Sequence, residues 1–410
     1  MKFLTPALLT LTLPMLAAEP FRQTLISSGK NIRVETAEFS GRKLTPKAPG
    51  WTIRKRTLHG GKQEGVEVIV VNNGKLEFTV VPTRGMGVLE AKVGDVRLGW
   101  NSPVKEVVHP RHINLMSRGG LGWLDGFNEW MVRCGLESNG GPGPDEFTNN
   151  VGDKATMDLT LHGKIANIPA SEVEIIVDRN PPYQLTVRGI VDERMFYGPK
   201  LELVTEISTD PGSQSLRIAD TITNRGDAEQ EFELLYHANY GRPLLEMGSR
   251  LLAPVARVTP MNERAAKAIG SYAEYARPTP GYVELVYCIV PLADAGGRTL
   301  IALQNKQADR AVSMAYSVKE LPYLTQWKNT AAEGEGYVTG LEPGVNFPNP
   351  RRIERKLGRV PKLAPGASYT AAIDYAIHSD AEAVEAVAKR IAKLQGDTKP
   401  QIDTEPEKKD

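Results

Sequence analysis

Two cysteines in 410 residues leave no disulfide-dense scaffold and no cysteine-rich metal site. An excess of one charge is missing as well. Fifty Lys and Arg stand against 49 Asp and Glu, a net charge of +1, so the chain lacks the positive surplus of a general nucleic-acid binder. Beyond the first twenty residues there is no long apolar run that reads as a membrane span. No GxGxxG or P-loop sequence follows a strand pattern, which removes support for nucleotide-binding folds. The absence of GxSxG and HExxH does the same for covalent hydrolases and zinc proteases. Helical periodicity is nearly absent before residue 379. What is present is a globular composition, 41% hydrophobic and 24% charged, with 5 Trp, 13 Tyr and 9 Phe to build aromatic pockets.

The start of the chain reads as an export signal over residues 1–18. Lys2 gives a positive start, an apolar run broken by Thr and Pro follows, and Ala17 and Ala18 are small residues at a cleavage point. The expectation is an exported protein, periplasmic or extracellular, with no membrane segment after signal removal. In an oxidising compartment Cys134 and Cys288 could pair; two separate buried thiols fit the sequence equally.

After the signal the pattern is that of strands. Short apolar, β-branched runs occur at 66–71, 76–81, 172–177, 185–191, 201–208, 216–223, 232–236, 282–290, 299–304 and 369–377. Turn clusters such as Asn72-Asn73-Gly74 and Asp210-Pro211-Gly212 separate them. This predicts an all-β fold, a large antiparallel β-sandwich. Residues 19–72 form an N-terminal extension with first strands, and 73–378 form one domain. Ser379 and Glu382 make a capping box for a C-terminal helix over 379–396, with Val384, Val387, Ile391 and Leu394 at helical spacing. The polar stretch 397–410 reads as a disordered tail. Residues 100–152 are loop-like, rich in Gly and Asn, and carry Trp123, Phe127 and Trp130, which suit stacking on a sugar face or stapling of the loop to the core.

Polar residues at strand ends are the candidates for chemistry. Alternation places Leu235, His237 and Asn239 on one strand face, where imidazole and amide reach one ligand hydroxyl and the imidazole transfers protons near neutral pH. A core histidine bonded to a carbonyl fits the same spacing. His162 ends the run 157–163 beside Gly163. Arg84 follows a strand and is flanked by Gly85 and Gly87, which sets a guanidinium over a pocket floor or into a surface ion pair. Glu342 ends an apolar strand and opens onto a Pro/Gly/Asn loop, where partial desolvation raises a carboxyl group toward general-base range.

Seven segments, in order, carry a resemblance: VPTRGMG at 81–87, GWLDGF at 122–127, RCGLESNG at 133–140, LHG at 161–163, YHANYG at 236–241, PYLTQWK at 322–328 and GLEP at 340–343. The chain resembles the galactose mutarotase-like superfamily, in its aldose 1-epimerase-like branch of bacterial proteins. The resemblance implies a β-supersandwich with a sugar cleft, a small carbohydrate as partner, and no metal or cofactor. It implies an isomerase acting at the anomeric centre, with His237 as the acid and Glu342 as the base. Arg84, His162, Asn239 and Trp327 are its implied substrate contacts. Mutarotases also hold sugar hydroxyls with an aspartate that has no clear counterpart here; Glu246 lies near the expected place in a different context. A carbohydrate binder without turnover, and a lyase or isomerase for an oxidised or uronic sugar, remain the alternative readings.

Overall fold

A computed structural model describes residues 18–408; the export signal expected at 1–18 lies, but for its last residue, outside the described residues. The strands form two large, mostly antiparallel sheets, of ten and thirteen strands among the described residues. Alternation does the sorting. In Lys200–Thr209 the side chains of Leu201, Leu203 and Ile207 are buried while Glu206 is exposed. The inward residues of both sheets, among them Leu203, Ile218, Ile222 and Tyr375 on one side and Phe78, Met131, Tyr236 and Leu341 on the other, meet in one continuous core. Each such side chain contributes roughly 1.5–3 kcal/mol by leaving water.

Three adjacent strands of the larger sheet depart from alternation. Met131–Leu136, Glu233–Tyr240 and Val338–Gly344 are buried at every position. One face packs on the core, and the other is roofed by the segment between Trp100 and Trp130. Trp100, Trp123 and Phe127 from that segment cluster with Val132, Cys134 and Leu235 beneath it. Polar side chains on this roofed face are therefore desolvated, which matters for the site below.

Several expectations are revised. The strands expected within 19–72 belong to the main sheets: Phe21–Ser27 pairs with Glu172–Val177 in the ten-stranded sheet, and Thr52–Thr57 pairs with Glu67–Asn72 in the other. The helix is Ala381–Gln395, capped by Asp380, whose side chain accepts from the Ala383 amide, rather than by Ser379. Residues 397–408 are not a disordered tail. Gln401–Ile402 pairs in parallel with Val255–Pro260, and the Asp403 carboxylate accepts from Arg257 Nε and Thr259 Oγ1. These contacts supply the partners that a polar composition alone does not reveal. Cys134 is a free, fully buried thiol, so the pairing left open with Cys288 does not form.

Candidate functional site

The all-buried strands bring the ionisable candidates together. Glu233–Tyr240 pairs with Val338–Gly344, which pairs in turn with Tyr323–Asn329, and that strand pairs with Leu285–Pro291. Register sets Thr325 opposite Glu342 and Trp327 opposite Gly340. Over this four-strand floor lies a cavity of about 320 Å³, walled by His237, Glu342, His162, Trp123, Phe127 and Trp327. Its size is near the lower end of the roughly 300–1,000 Å³ common for small-ligand sites.

His237 and Glu342 face each other at its base. His237 Nε2 lies 3.3 Å from Glu342 Oε1, yet that oxygen is buried with no aligned hydrogen-bond partner. His237 is 4% and Glu342 2% exposed, so neither charge is hydrated. Burial pushes the Glu342 carboxyl group well above its ordinary range, helped by the nearby Glu284 charge. Burial pulls the His237 imidazole well below its ordinary range, with a smaller contribution from His162 and an opposing one from Asn239. Both shifts favour the uncharged pair. Gly340 makes the pairing possible: a Cβ there would lie 2.3 Å from Glu342 Oε1 and 3.2 Å from His237 Cε1.

Asn239 does not reach into the cavity. Its Nδ2 donates to the backbone carbonyls of Glu129 and His237, both at 3.1 Å, which turns Oδ1 toward His237 Nδ1 at 2.7 Å. That nitrogen must therefore donate, leaving Nε2 as the bare nitrogen facing Glu342. The expected substrate contact is a support for the imidazole. Arg84 is also withdrawn. It is fully buried, with Nε on Glu129 Oε1 at 2.9 Å, Nη1 on Asn167 Oδ1 at 2.7 Å and Nη2 on the Gly126 carbonyl at 3.1 Å. It takes no part in the cavity wall; it ties the roof segment that carries Trp123 and Phe127 to the sheet.

His162 does line the cavity, but from a turn rather than a strand end, since its strand stops at Leu159. Its own φ is +58°, and Gly163 follows at +70°, where a Cβ would lie 2.0 Å from the Ser138 carbonyl oxygen. His162 Nδ1 donates to the Asn139 carbonyl at 2.8 Å, so its Nε2 is also bare, and burial lowers its pKa to about 4. The rings of Trp123 and His237 stand 4.6 and 5.2 Å away. Trp327 lines the opposite wall and donates Nε1 to Glu284 Oε2 at 2.7 Å.

Thr325 and Glu284 escaped sequence reasoning. Thr325 Oγ1 and Trp123 Nε1 are, like Glu342 Oε1, buried polar atoms without a partner in the wall of this cavity. The signal for Thr325 was available: it alternates with Trp327 on one strand face. Nothing in the local sequence distinguishes Glu284. Glu246 lies elsewhere; its Oε1 accepts from the Lys306 amide. A larger hollow of about 990 Å³ exists beside the Gly143–Thr148 and Lys154–Leu159 hairpin; among its lining charges, Arg351 and Arg355 are matched by Asp145, Glu231 by Arg355, Glu229 by Lys362 and Glu137 by Lys164.

A crystal structure from Klebsiella pneumoniae, of a protein provisionally named an aldose 1-epimerase, is 40% identical, covers 95% of this chain and 100% of its own, and superposes with a TM-score of 0.90. A galactose mutarotase-like protein from Clostridium acetobutylicum shares the fold at 16% identity and TM-score 0.54, over 80% of this chain and 98% of that one. The galactose 1-epimerase of Lactobacillus acidophilus does so at 12% identity and TM-score 0.51, over 80% and 99%. No curated protein matches the chain by sequence. The pattern described as a domain of unknown function, DUF4432, matches residues 63–377. On the galactose mutarotase-like fold, the chain belongs to the DUF4432 family.

Proposed function

We propose that the protein is an aldose 1-epimerase-type isomerase, exported from the cell, that interconverts the anomers of a free sugar with His237 and Glu342. The observation that carries this reading is the buried His237–Glu342 pair at 3.3 Å, whose carboxyl oxygen lacks an aligned partner at the cavity wall. Anomerisation needs one group to remove the anomeric hydroxyl proton while another protonates the ring oxygen one bond away. Two groups sharing one proton meet that demand without net charge change.

The placement of the proton inverts the roles implied by resemblance. Asn239 holds the hydrogen of His237 on Nδ1, and burial keeps the imidazole neutral, so the shared proton rests on Glu342. His237 Nε2 then takes the proton of the anomeric hydroxyl as Glu342 delivers its own to the ring oxygen. The C1–O5 bond breaks, giving the open-chain aldehyde. After rotation about C1–C2 the ring closes on the other face: the C5 hydroxyl returns its proton to Glu342, and His237 returns the first proton to the new anomeric oxygen. Both groups end as they began. The Trp123, Phe127 and Trp327 rings offer faces for the C–H side of a pyranose.

The experiment is anomer exchange of free sugars, followed by NMR exchange spectroscopy with wild-type protein and Glu342→Gln. The reading expects a loss of about 10²–10⁴-fold in the variant. An unchanged rate removes Glu342 from the chemistry and this function with it.

A further inference from the structure

We infer that the cleft selects an uncharged, hydroxyl-poor sugar, a 6-deoxy sugar ahead of its hydroxymethyl and carboxylate counterparts. This rests on the epimerase-type reading and names the substrate class of that same site.

The first argument is the supply of hydrogen bonds. Apart from the anomeric centre and the ring oxygen, a hexopyranose brings four hydroxyl groups. Beyond the acid–base pair, the lining side chains hold two uncommitted donors, Trp123 Nε1 and Thr325 Oγ1, both buried and without partners. The third candidate donor, Trp327 Nε1, is already spent on Glu284. His162 contributes only an acceptor, because its Nδ1 hydrogen goes to the Asn139 carbonyl. No Asn, Gln, Arg or Lys stands in the described wall. Each further hydroxyl moved into this site is desolvated without a donor for its oxygen.

The second argument is the apolar remainder of the wall. Leu121, Leu124, Leu161, Val286 and Pro348 line the cavity with purely hydrocarbon side chains. A methyl group loses nothing there, and a hydroxymethyl group loses its water. The third argument is charge. Glu284 and Glu342 are the acidic groups of the wall, with no cation to set against a substrate anion. A uronate or sugar phosphate would meet the exposed Glu284 carboxylate at the cavity rim with no cation to balance it, a like-charge contact that disfavours it.

The test varies one carbon. D-fucose, D-galactose and D-galacturonate differ only at C6, as do D-quinovose, D-glucose and D-glucuronate. Binding is read by tryptophan fluorescence titration and turnover by NMR exchange spectroscopy on the same samples. The expected order in both series is methyl, hydroxymethyl, carboxylate. We expect the methyl sugar to bind about 10–100-fold tighter than the hydroxymethyl sugar, and the carboxylate to trail by more than about 100-fold. A uronate that binds as well as the methyl sugar overturns the inference. So does a hydroxymethyl sugar that binds better in both series, or no binding by either methyl sugar. Binding in the expected order with no exchange above the buffer rate instead overturns the epimerase reading and leaves the selectivity standing. Exchange with the order reversed does the opposite.

Discussion

Two ionisable pairs are buried against opposite faces of the thirteen-stranded sheet, and they are finished very differently. Arg133 points into the sheet–sheet core. Its Nε and Nη2 reach Asp220, Nη2 also reaches Thr205 Oγ1 at 2.6 Å, and Nη1 reaches the Met86 carbonyl at 3.0 Å. The pair joins Met131–Leu136 of one sheet to Ser215–Asn224 of the other. One register step away, on the opposite face, His237 pairs across from Val132, and its partner Glu342 keeps an oxygen with no aligned donor. The first pair has its main polar groups matched within the protein, and so has little left to offer a ligand. The second is desolvated to a similar degree and left incomplete beside a cavity. On the two faces of one sheet, a completed buried pair reads as architecture and an incomplete one as chemistry.

The contrast is sharpest where each pair is broken. Arg133→Met leaves Asp220 buried without its cation, and we expect about 3–5 kcal/mol of folding stability to disappear. The double change Arg133→Met with Asp220→Leu should recover most of that loss in denaturant titration. Glu342→Gln, by comparison, should leave the denaturation midpoint where it is or raise it. A stable Arg133→Met protein would show that the matched pair is ornamental.

A second separation comes from pH. Burial holds His162 near 4, below the ordinary 6.5, so the folded state disfavours its proton. Its contribution is fully present above pH 6.5 and is lost as pH falls through about 4, by at most about 3 kcal/mol. Glu233, raised to about 8 chiefly by burial, works from the other end: its stability is present below about 4.5 and lost as pH rises through about 8. Thermal unfolding of His162→Phe should therefore decline less toward acid than the wild type. Equal slopes would mean that the ring is not held neutral by its surroundings.

The smallest expected effect belongs to Asn239. Asn239→Ala frees the imidazole to place its hydrogen on either nitrogen, and we expect kcat to fall about 10–100-fold with KM little changed. Asn239→Asp puts a carboxylate against Nδ1, favours the imidazolium, and should move the acid limb of the pH profile upward. A purely structural role would alter stability and leave that limb in place.

How far these features were readable in the chain depended on the distance over which each is decided. Alternation from Leu235 to Asn239 is a local property, and it put His237 on the cleft face correctly. The apolar run into Glu342 likewise announced a desolvated carboxyl group. Arg84 looked the same from its flanking glycines, but its partners Glu129 and Asn167 lie 45 and 83 residues further on, and no local pattern shows a guanidinium being consumed. Asn239 was placed on the proper face and given the wrong task, because the carbonyl that turns its amide belongs to Glu129, 110 residues away. The strand Met131–Leu136 escaped notice because, buried on both faces, it mixes Arg133, Cys134 and Gly135 with apolar residues and shows no period of two.

The docked end of the chain has a consequence for life in a crowded solution. Val255–Pro260 would otherwise be the last main strand of the thirteen-stranded sheet, with a free row of amide and carbonyl groups. Gln401–Ile402 occupies part of that row, and Asp403 fixes it with a carboxylate held by Arg257 and Thr259. A short segment with Pro400 before it and Pro406 after it offers little for a further strand to pair with. The chain thus closes its own open border against sheet-to-sheet self-association, using residues whose composition advertises nothing but solubility.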